Sequence, residues 1–260
     1  MPLNSSRRRR AARMVLAGLS CALAITACAQ APVTGRNQLI LLPESQDADM
    51  GLQAYQQIKQ EEKVSSNAAL NERVQTVGRR IAAVSGHPEW DWQFTLFDNP
   101  EPNAFALPGG KVGVYTGLFK VAQNDAQLAA VMGHEVGHAI ARHGAERMSH
   151  GILAQLGGVA VGAATGSQAV VDMYSQAATL GVILPYSRGQ ESEADEIGLM
   201  LMAEAGYDPR EAVKLWQNFE ALSGQRPPEF LSTHPSEGTR IERLQELMPK
   251  ALEVYQQHQA

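Results

Sequence analysis

Cysteine is nearly absent from this sequence, which has only Cys21 and Cys28 among its 260 residues. Both lie near the N-terminal end, so the chain beyond Cys28 cannot form an internal disulfide. A small fold held together by disulfides is thereby excluded. A chain of this length can instead bury a substantial core. We therefore expect its stability to come from packing and from any metal that it binds.

Clustered positive charge is missing from most of the chain. Five arginines fall within residues 1–13, and no acidic residue precedes Glu44. Outside that first stretch, the chain has 17 basic side chains and 27 acidic ones. Because phosphate binding needs clustered Lys and Arg, this composition excludes nucleic acid as a main partner.

Residues 1–27 have the pattern of an export signal. Their basic stretch is followed by an apolar run over 14–28 that is too short to span a bilayer as a stable helix. The four residues that end at Cys28 resemble a bacterial lipobox, which predicts lipidation of Cys28 as the first mature residue. Cleavage after Ala31 is the alternative. Lipidation predicts a membrane anchor on the periplasmic side, and Ala29 beside the cysteine favours the outer membrane.

Apolar spacing divides the remaining chain into a tether, residues 28–43, and one domain, residues 44–260. The tether carries Pro and Gly without a helical period. In the domain, helical spacings dominate and flank a few alternating, strand-like stretches. This order predicts a mostly helical α+β fold with a small sheet. The predicted helices are 44–63, 66–84, 124–147, 188–205, 209–222 and 236–248, and the predicted strands are 90–98 and two short ones within 103–119.

Residues 151–187 are rich in small apolar side chains, and the first 16 of them carry no charge. That run is shorter than the roughly 20 residues of a membrane helix. We expect a buried pair of helices joined by a glycine-rich turn. The alternative is a mobile flap over the active site that touches a membrane or a partner.

The stretch VMGHEVGHAIARH, residues 131–143, contains the pattern H-E-x-x-H. On a helix, His134 and His138 share one face, one turn apart. Their imidazoles can then bind one zinc ion at about 2.0–2.1 Å. Glu135 lies to the side, where its carboxylate can take a proton from a metal-activated water. The pattern predicts a catalytic zinc site.

The alternative is a helix that carries two surface histidines. The apolar surroundings of the motif oppose that interpretation. So do Gly133 and Gly137, which each lower helix propensity by about 1 kcal/mol relative to Ala. We expect these glycines to keep space clear around a metal.

A catalytic zinc also needs a third protein ligand and an open coordination position. The metzincin pattern would place Gly at position 141 and His at position 144, but the chain has Ala141 and Gly144, which excludes that class. His143 would point away from His134 on the same helix. His143 and His150 are expected to be solvated.

Residues 188–198, RGQESEADEIG, are the best source of that ligand. Glu191 and Asp195 lie four residues apart and share a helix face. Glu191 is the candidate ligand, with Asp195 one turn further to orient a ligand histidine or to bond the reacting groups. A solvated acidic helix start is the alternative, because carboxylates are favourable near a helix N-terminus.

His134-Glu135-x-x-His138, followed by Glu191-x-x-Ala194-Asp195, resembles the HtpX-like zinc metalloproteases. These are gluzincins, a group that includes the CAAX prenyl endoprotease and the mitochondrial Oma protease. The stretches NAFALPGGKVGVYTGLF and STHPSEGTRIERL also look like that family, so the resemblance covers about 45–250. It implies a zincin-like fold and one Zn²⁺ per chain. The implied ligands are His134, His138 and Glu191, with Glu135 as general base and a supporting catalytic role for Asp195.

With the lipobox, the chain looks like the periplasmic lipoprotein branch of that family. This branch implies a zinc endopeptidase that cleaves misfolded or unassembled envelope proteins. A periplasmic chaperone or assembly scaffold with a structural or latent zinc site is the alternative. The presence of Glu135 favours the enzyme, because a purely structural site has no use for that base.

Two more stretches are candidate parts of the site. In the resemblance, a histidine such as His234 approaches the zinc, where it masks the metal or binds the oxyanion of the transition state, and Arg240 assists as a fixed cation. A loop histidine that caps the next helix is the alternative. Asn103, Ala104, Phe105 and Ala106 are expected to form an edge strand that pairs with an extended substrate; an ordinary sheet edge is the alternative.

Overall fold

The computed structural model describes residues 28–169, 171–173, 175, 186–222, 229–234 and 239–258. It is mostly helical with two small sheets, which confirms the predicted α+β class. The predicted signal and parts of the 151–187 segment lie outside the described residues. The helices are α1 (Glu44–Glu61), α2 (Ala68–Val84), α3 (Asp125–Ile140), α4 (His143–Thr165), α5 (Arg188–Glu204), α6 (Arg210–Leu222), α7 (Glu229–Thr233) and α8 (Arg240–Gln257), and the strands are β1 (Cys28–Gln30), β2 (Asn37–Leu39), β3 (Gln93–Phe97), β4 (Ala104–Leu107) and β5 (Lys111–Tyr115).

The two helices that carry the sequence motifs begin at side-chain caps. At the start of α3, the side-chain oxygen of Asn124 accepts a hydrogen bond from the backbone N–H of Gln127 at 2.9 Å. At the start of α5, Ser187 and Gln190 form a capping box. Such caps satisfy amide groups that have no partner in the first helical turn. Both helices therefore start where the sequence pattern predicts.

The three-stranded sheet has the order β3-β5-β4, with β5 parallel to β3 and antiparallel to β4. The turn from β4 to β5 contains Gly109 and Gly110, whose φ angles of 76° and 82° fall in the left-handed region that favours glycine. This topology leaves β4 at an edge of the sheet, packed against α3.

Helices α3 and α5 cross at a contact between glycines. A Cβ atom on Gly198 would lie 2.6 Å from the backbone nitrogen of His134, and one on Gly133 would lie 2.8 Å from the carbonyl oxygen of Gly198. A Cβ atom on Gly137 would lie 3.1 Å from the carbonyl oxygen of Ala194. The expectation that the motif glycines keep space clear around a metal is therefore wrong. They let the backbone of α5 approach α3.

This crossing predicts that two glycine substitutions in α5 differ in their effect on the free energy of unfolding. Gly198→Ala should lower the free energy of unfolding by about 1–3 kcal/mol, because the new methyl group meets backbone atoms that cannot rotate away. Gly189→Ala places its methyl group in open space and should be neutral or stabilising by up to about 1 kcal/mol. Urea unfolding of both variants measures the difference, and equal effects would contradict the close crossing.

The predicted helix over 124–147 is in fact two helices, because the chain breaks at Arg142. This residue has a φ of 54°, which is uncommon for a residue with a side chain. Its guanidinium donates to Oδ2 of Asp47 at 3.1 Å and to the carbonyl of Leu42 at 2.9 Å. These bonds stabilise the left-handed conformation at Arg142. Because the helix ends there, the orientation of His143 does not follow from the helical spacing of α3.

Residues 28–43, predicted as a tether, contain the antiparallel hairpin of β1 and β2. Ile40 and Leu42 are buried, and the N–H of Leu41 donates to the hydroxyl of Ser149 on α4 at 2.8 Å. The segment is therefore packed on the helices, through contacts between residues far apart in the sequence that its composition does not reveal.

The burial expected for 151–187 is wrong for the described part of that segment. Four apolar side chains on α4 are between 40% and 60% exposed: Ile152, Leu153, Leu156 and Val159. Among the described helices, none has both the length and the apolar character needed to cross a membrane.

Candidate active site

Four buried side chains converge beside the crossing of α3 and α5. They are His134 and His138 on α3, Glu191 on α5, and His234 just after α7. One ligand atom from each lies within 4.8 Å of all the others. The structure therefore brings together the three predicted metal ligands and adds His234 to them.

The separations within this cluster fit a four-coordinate metal. The Nε2 atoms of His134 and His138 are 3.2 Å apart, and the nearest oxygens of Glu191 lie 3.5 Å and 3.3 Å from them. Nδ1 of His234 lies 3.1 Å from Oε1 of Glu191 and 3.4 Å from Nε2 of His134. Zinc bonds of about 2.0–2.2 Å in a tetrahedron place ligand atoms about 3.3–3.6 Å apart. Imidazole and carboxylate are also donors that zinc prefers.

Asp195 and Arg240 lie behind the cluster. Oδ1 of Asp195 is 2.9 Å from Nδ1 of His134, and Nε of Arg240 donates to Oδ2 of Asp195 at 2.8 Å. Arg240 also donates to Glu191 through Nη2. A proton held on Nδ1 of His134 leaves Nε2 free for a metal. Asp195 thus lies behind a candidate ligand histidine, as expected. Arg240 joins two buried carboxylates, whereas the sequence predicted a cation that faces the reacting oxygen.

Burial and hydrogen bonds act in opposite directions on the cluster. Burial alone would lower the pKa of His134, but its bonds with Asp195 and Glu191 raise that pKa to about 9. Burial alone would raise the pKa of Glu191, but its bonds with three histidines hold that pKa far below the usual range. Burial lowers the pKa of His138. The result is a buried carboxylate anion surrounded by imidazoles.

Glu135 lies beside the cluster but outside the set of candidate ligands. It is buried, and its Oε1 atom lies 3.6 Å from Nε2 of His234 but accepts no hydrogen bond among the described residues. Burial raises the pKa of Glu135, and the backbone N–H of Ala106 on β4 donates to the carboxylate. A buried carboxyl group with a raised pKa and an oxygen that accepts no hydrogen bond is suited to accept a proton.

The edge strand β4 presents backbone groups next to Glu135. The carbonyl of Asn103 accepts from the N–H of Tyr115 at 3.0 Å, so Asn103 faces β5. By alternation, the backbone groups of Ala104 and Ala106 face the open edge, while those of Phe105 face β5. The predicted substrate strand is thus at the sheet edge, with two residues turned outward.

Two residues that the sequence did not identify contact His138. The prediction of a solvated His143 is wrong, because this side chain is fully buried and its Nδ1 atom lies 2.8 Å from Nδ1 of His138. The ring of Tyr186 stacks on His138 with centroids 4.0 Å apart. His150 is exposed, as expected. Neither contact leaves a sequence signal, because one depends on the break before α4 and the other joins residues 48 positions apart.

A cavity of about 270 Å³ opens beside His138, between α1, β4 and α4. Its lining includes Asp47 and Arg142, which are paired with each other. The rest of the lining is mainly apolar and includes Met50, Ala54, Leu107, Ala139 and Met148.

A buried H-E-x-x-H helix, an acidic candidate ligand on a crossing helix and a strand edge beside Glu135 are the arrangement of a zincin-type metallopeptidase site. The chain belongs to peptidase family M48, which it matches over residues 68–248. This membership confirms the resemblance to HtpX-like and Oma proteases.

Three relatives show the range of similarity. The mitochondrial metalloendopeptidase OMA1 of Schizosaccharomyces pombe is 39% identical over 180 residues, which cover 68% of this chain and 53% of that protein. OMA1 of Saccharomyces cerevisiae is 33% identical over 249 residues, covering 88% and 71%. The beta-barrel assembly-enhancing protease of Escherichia coli K12 is 27% identical over 220 residues, covering 81% and 45%. The chain thus spans about half of the length of two of these relatives.

The predicted location, on the periplasmic side and at the outer membrane, is wrong by this comparison. The relatives that share 33% to 39% identity are mitochondrial metalloendopeptidases, and the bacterial relative is less similar. Lipidation of Cys28 stays a prediction, but no location is inferred from it.

Proposed function

We propose that the chain is a zinc-dependent endopeptidase, with one zinc ion held by His134, His138 and Glu191. The observation that carries this proposal is the convergence of these three groups beside the buried carboxylate of Glu135. The metalloendopeptidase relatives support the same activity. When bound, zinc supplies Lewis acidity, which polarises a peptide carbonyl and lowers the pKa of water.

Glu135 is the general base and then the general acid. Its Oε1 atom, which accepts no hydrogen bond among the described residues, takes a proton from the attacking water and passes it to the leaving amine. No acyl-enzyme forms, because water attacks the carbonyl rather than a side chain. Asp195, 2.9 Å from Nδ1 of His134, would hold a proton on that nitrogen and so keep the opposite ring nitrogen available as a ligand.

The substrates are unfolded or unassembled proteins. The outward-facing backbone groups of Ala104 and the carbonyl of Ala106 would pair with an extended peptide segment, and a folded protein rarely exposes such a segment. The apolar cavity beside His138 can accept an apolar side chain near the cleaved bond. The assembly-related name of the Escherichia coli relative is consistent with such substrates. Envelope proteins are not proposed as substrates, because the expectation of envelope substrates depended on the periplasmic location that the comparison contradicts.

The direct test is digestion of unfolded casein by the purified, zinc-loaded chain. We expect cleavage that a chelator abolishes and added zinc restores, at sites with an apolar residue beside the cleaved bond when the peptides are sequenced by mass spectrometry. Absence of cleavage by both the zinc-loaded wild type and the His234→Ala variant would contradict the proposal.

A second candidate function rests on His234, which occupies a fourth position in the cluster. Zinc sites with four protein ligands are structural, whereas catalytic sites keep one position open. A chain with all four groups on zinc would be a latent protease or an assembly scaffold. If the wild type and the His234→Ala variant both bind zinc and neither cleaves casein, the result would favour the scaffold.

His234→Ala should increase casein cleavage by about tenfold or more. If His234 occupies the fourth position on the metal in most molecules, only the remaining molecules can cleave substrate, and the apparent activity falls to that fraction. Removing the imidazole makes all molecules competent and restores the activity. Cleavage rates at equal zinc content measure the effect. The exposed histidine variant His150→Ala should leave the rate unchanged. A decrease in rate would instead indicate that His234 stabilises the oxyanion.

A further inference from the structure

A chain of buried polar contacts leads away from His138 on the side opposite to the metal cluster. Nδ1 of His138 contacts Nδ1 of His143 at 2.8 Å, and Nε2 of His143 contacts Oε2 of Glu193 at 3.0 Å. His143 is fully buried and Glu193 is 3% exposed. Neither residue belongs to the candidate ligand set.

Arg36 completes this chain from the N-terminal hairpin. Its Nε atom donates to Oε2 of Glu193 at 2.7 Å, and its two Nη atoms donate to the carboxylate oxygens of Glu146 at 2.7 Å and 2.8 Å. Thr34, also in the hairpin, contacts the other oxygen of Glu193 through its hydroxyl. Arg36 lies outside residues 68–248, which match the family. Two buried carboxylates on two helices are therefore held by one residue of the segment predicted as a tether.

The direction of each hydrogen bond follows from the role of His138. A neutral imidazole that binds a metal through Nε2 carries its proton on Nδ1. Nδ1 of His138 must then donate to Nδ1 of His143, which leaves the proton of His143 on Nε2. That proton points to Glu193, whose carboxylate can only accept. Every donor in the chain meets an acceptor, and the tautomer of each ring is fixed.

The other ligand histidine on α3 is oriented in a shorter way. His134 contacts the carboxylate of Asp195 directly, and Arg240 holds that carboxylate. For His138, an additional histidine stands between the ring and the carboxylate, and the arginine comes from the hairpin.

We propose that His143, Glu193 and Arg36 form a positioning relay that fixes the ring of His138. The N-terminal hairpin, which carries Arg36, thereby contributes to the zinc affinity of the site. This inference rests on the proposed function, because it takes His138 as a zinc ligand. The three relay residues act through His138 and touch neither the metal position nor the substrate edge.

The first test compares two substitutions of His143 in the purified full chain, with zinc affinity measured by competition with a chelating dye. His143→Leu removes both polar atoms at similar volume and should weaken zinc binding by about 10- to 100-fold. His143→Gln keeps one acceptor and one donor and should recover most of that loss. If His143 only fills space, the two variants will bind zinc equally well, and the relay is overturned.

The second test reaches the far end of the relay and does not depend on the folding of the His143 variants. Arg36→Ala should weaken zinc binding several-fold. Arg73→Ala is the matched control, because Arg73 is equally exposed, at 31% against 32%, and forms an ion pair with Asp125 at 2.6 Å. Equal zinc affinity in the two arginine variants overturns the relay.

The outcomes separate this inference from the proposed function. A wild-type chain that binds no zinc overturns both. Tight zinc binding by the wild type together with unchanged affinity in His143→Leu and Arg36→Ala overturns the relay and leaves the peptidase proposal in place.

Discussion

Glu135→Gln should reduce casein cleavage by about 10²- to 10⁴-fold, the usual contribution of a positioned general base. The substitution keeps the shape of the side chain but removes its ability to take a proton from water. Glu135 lies outside the candidate ligand set, so zinc content should stay at one ion per chain. Cleavage rate and bound zinc, measured on the same preparation, test both statements.

Glu220→Gln is the control for this experiment, because Glu220 is an exposed carboxylate on α6, away from the cluster. It makes the same chemical change and should leave the rate unaltered. A Glu135→Gln variant that still cleaves casein at the wild-type rate would show that another group moves the proton. A variant that loses zinc would show instead that Glu135 is needed to build the site.

The helix of the candidate site could be predicted from the sequence because the chemistry proposed for it depends on local spacing. His134 and His138 share a face of any helix that contains them, whatever surrounds it. The same rule separated Glu191 and Asp195 from the neighbouring acidic residues, because residues four apart lie on one side of α5. Glu193, on another side, contacts Arg36 and His143 instead.

The contacts beyond this spacing could not be predicted, because they depend on where separate elements meet. The left-handed break at Arg142 has no glycine to mark it, and it turns His143 from an expected solvated position to a buried one. The hairpin has a tether-like composition, yet Arg36 reaches two carboxylates more than 100 positions away. Helical propensity alone also could not show that Gly133 faces a second backbone rather than a metal.

Arg240→Ala should lower the free energy of unfolding by about 3–5 kcal/mol, the usual cost of removing one partner of a buried ion pair. The guanidinium is 5% exposed, bonds to both Asp195 and Glu191, and lies 4.0 Å from the ring centroid of Trp216. Its loss leaves two buried carboxylates with one fewer cation between them. Urea unfolding in the presence of a chelator measures the effect without a contribution from bound zinc.

Arg210→Ala is the control for that measurement. Arg210 pairs with Asp208 at 2.6 Å but is 63% exposed, and an exposed pair contributes at most about 1 kcal/mol. Bound zinc adds a second cation next to Glu191, so the Arg240→Ala variant should gain more stability from zinc than the wild type does. A loss near that of Arg210→Ala would mean that the cluster does not need Arg240. The histidines would then balance Glu191 by themselves, and Arg240 would serve only to orient Asp195.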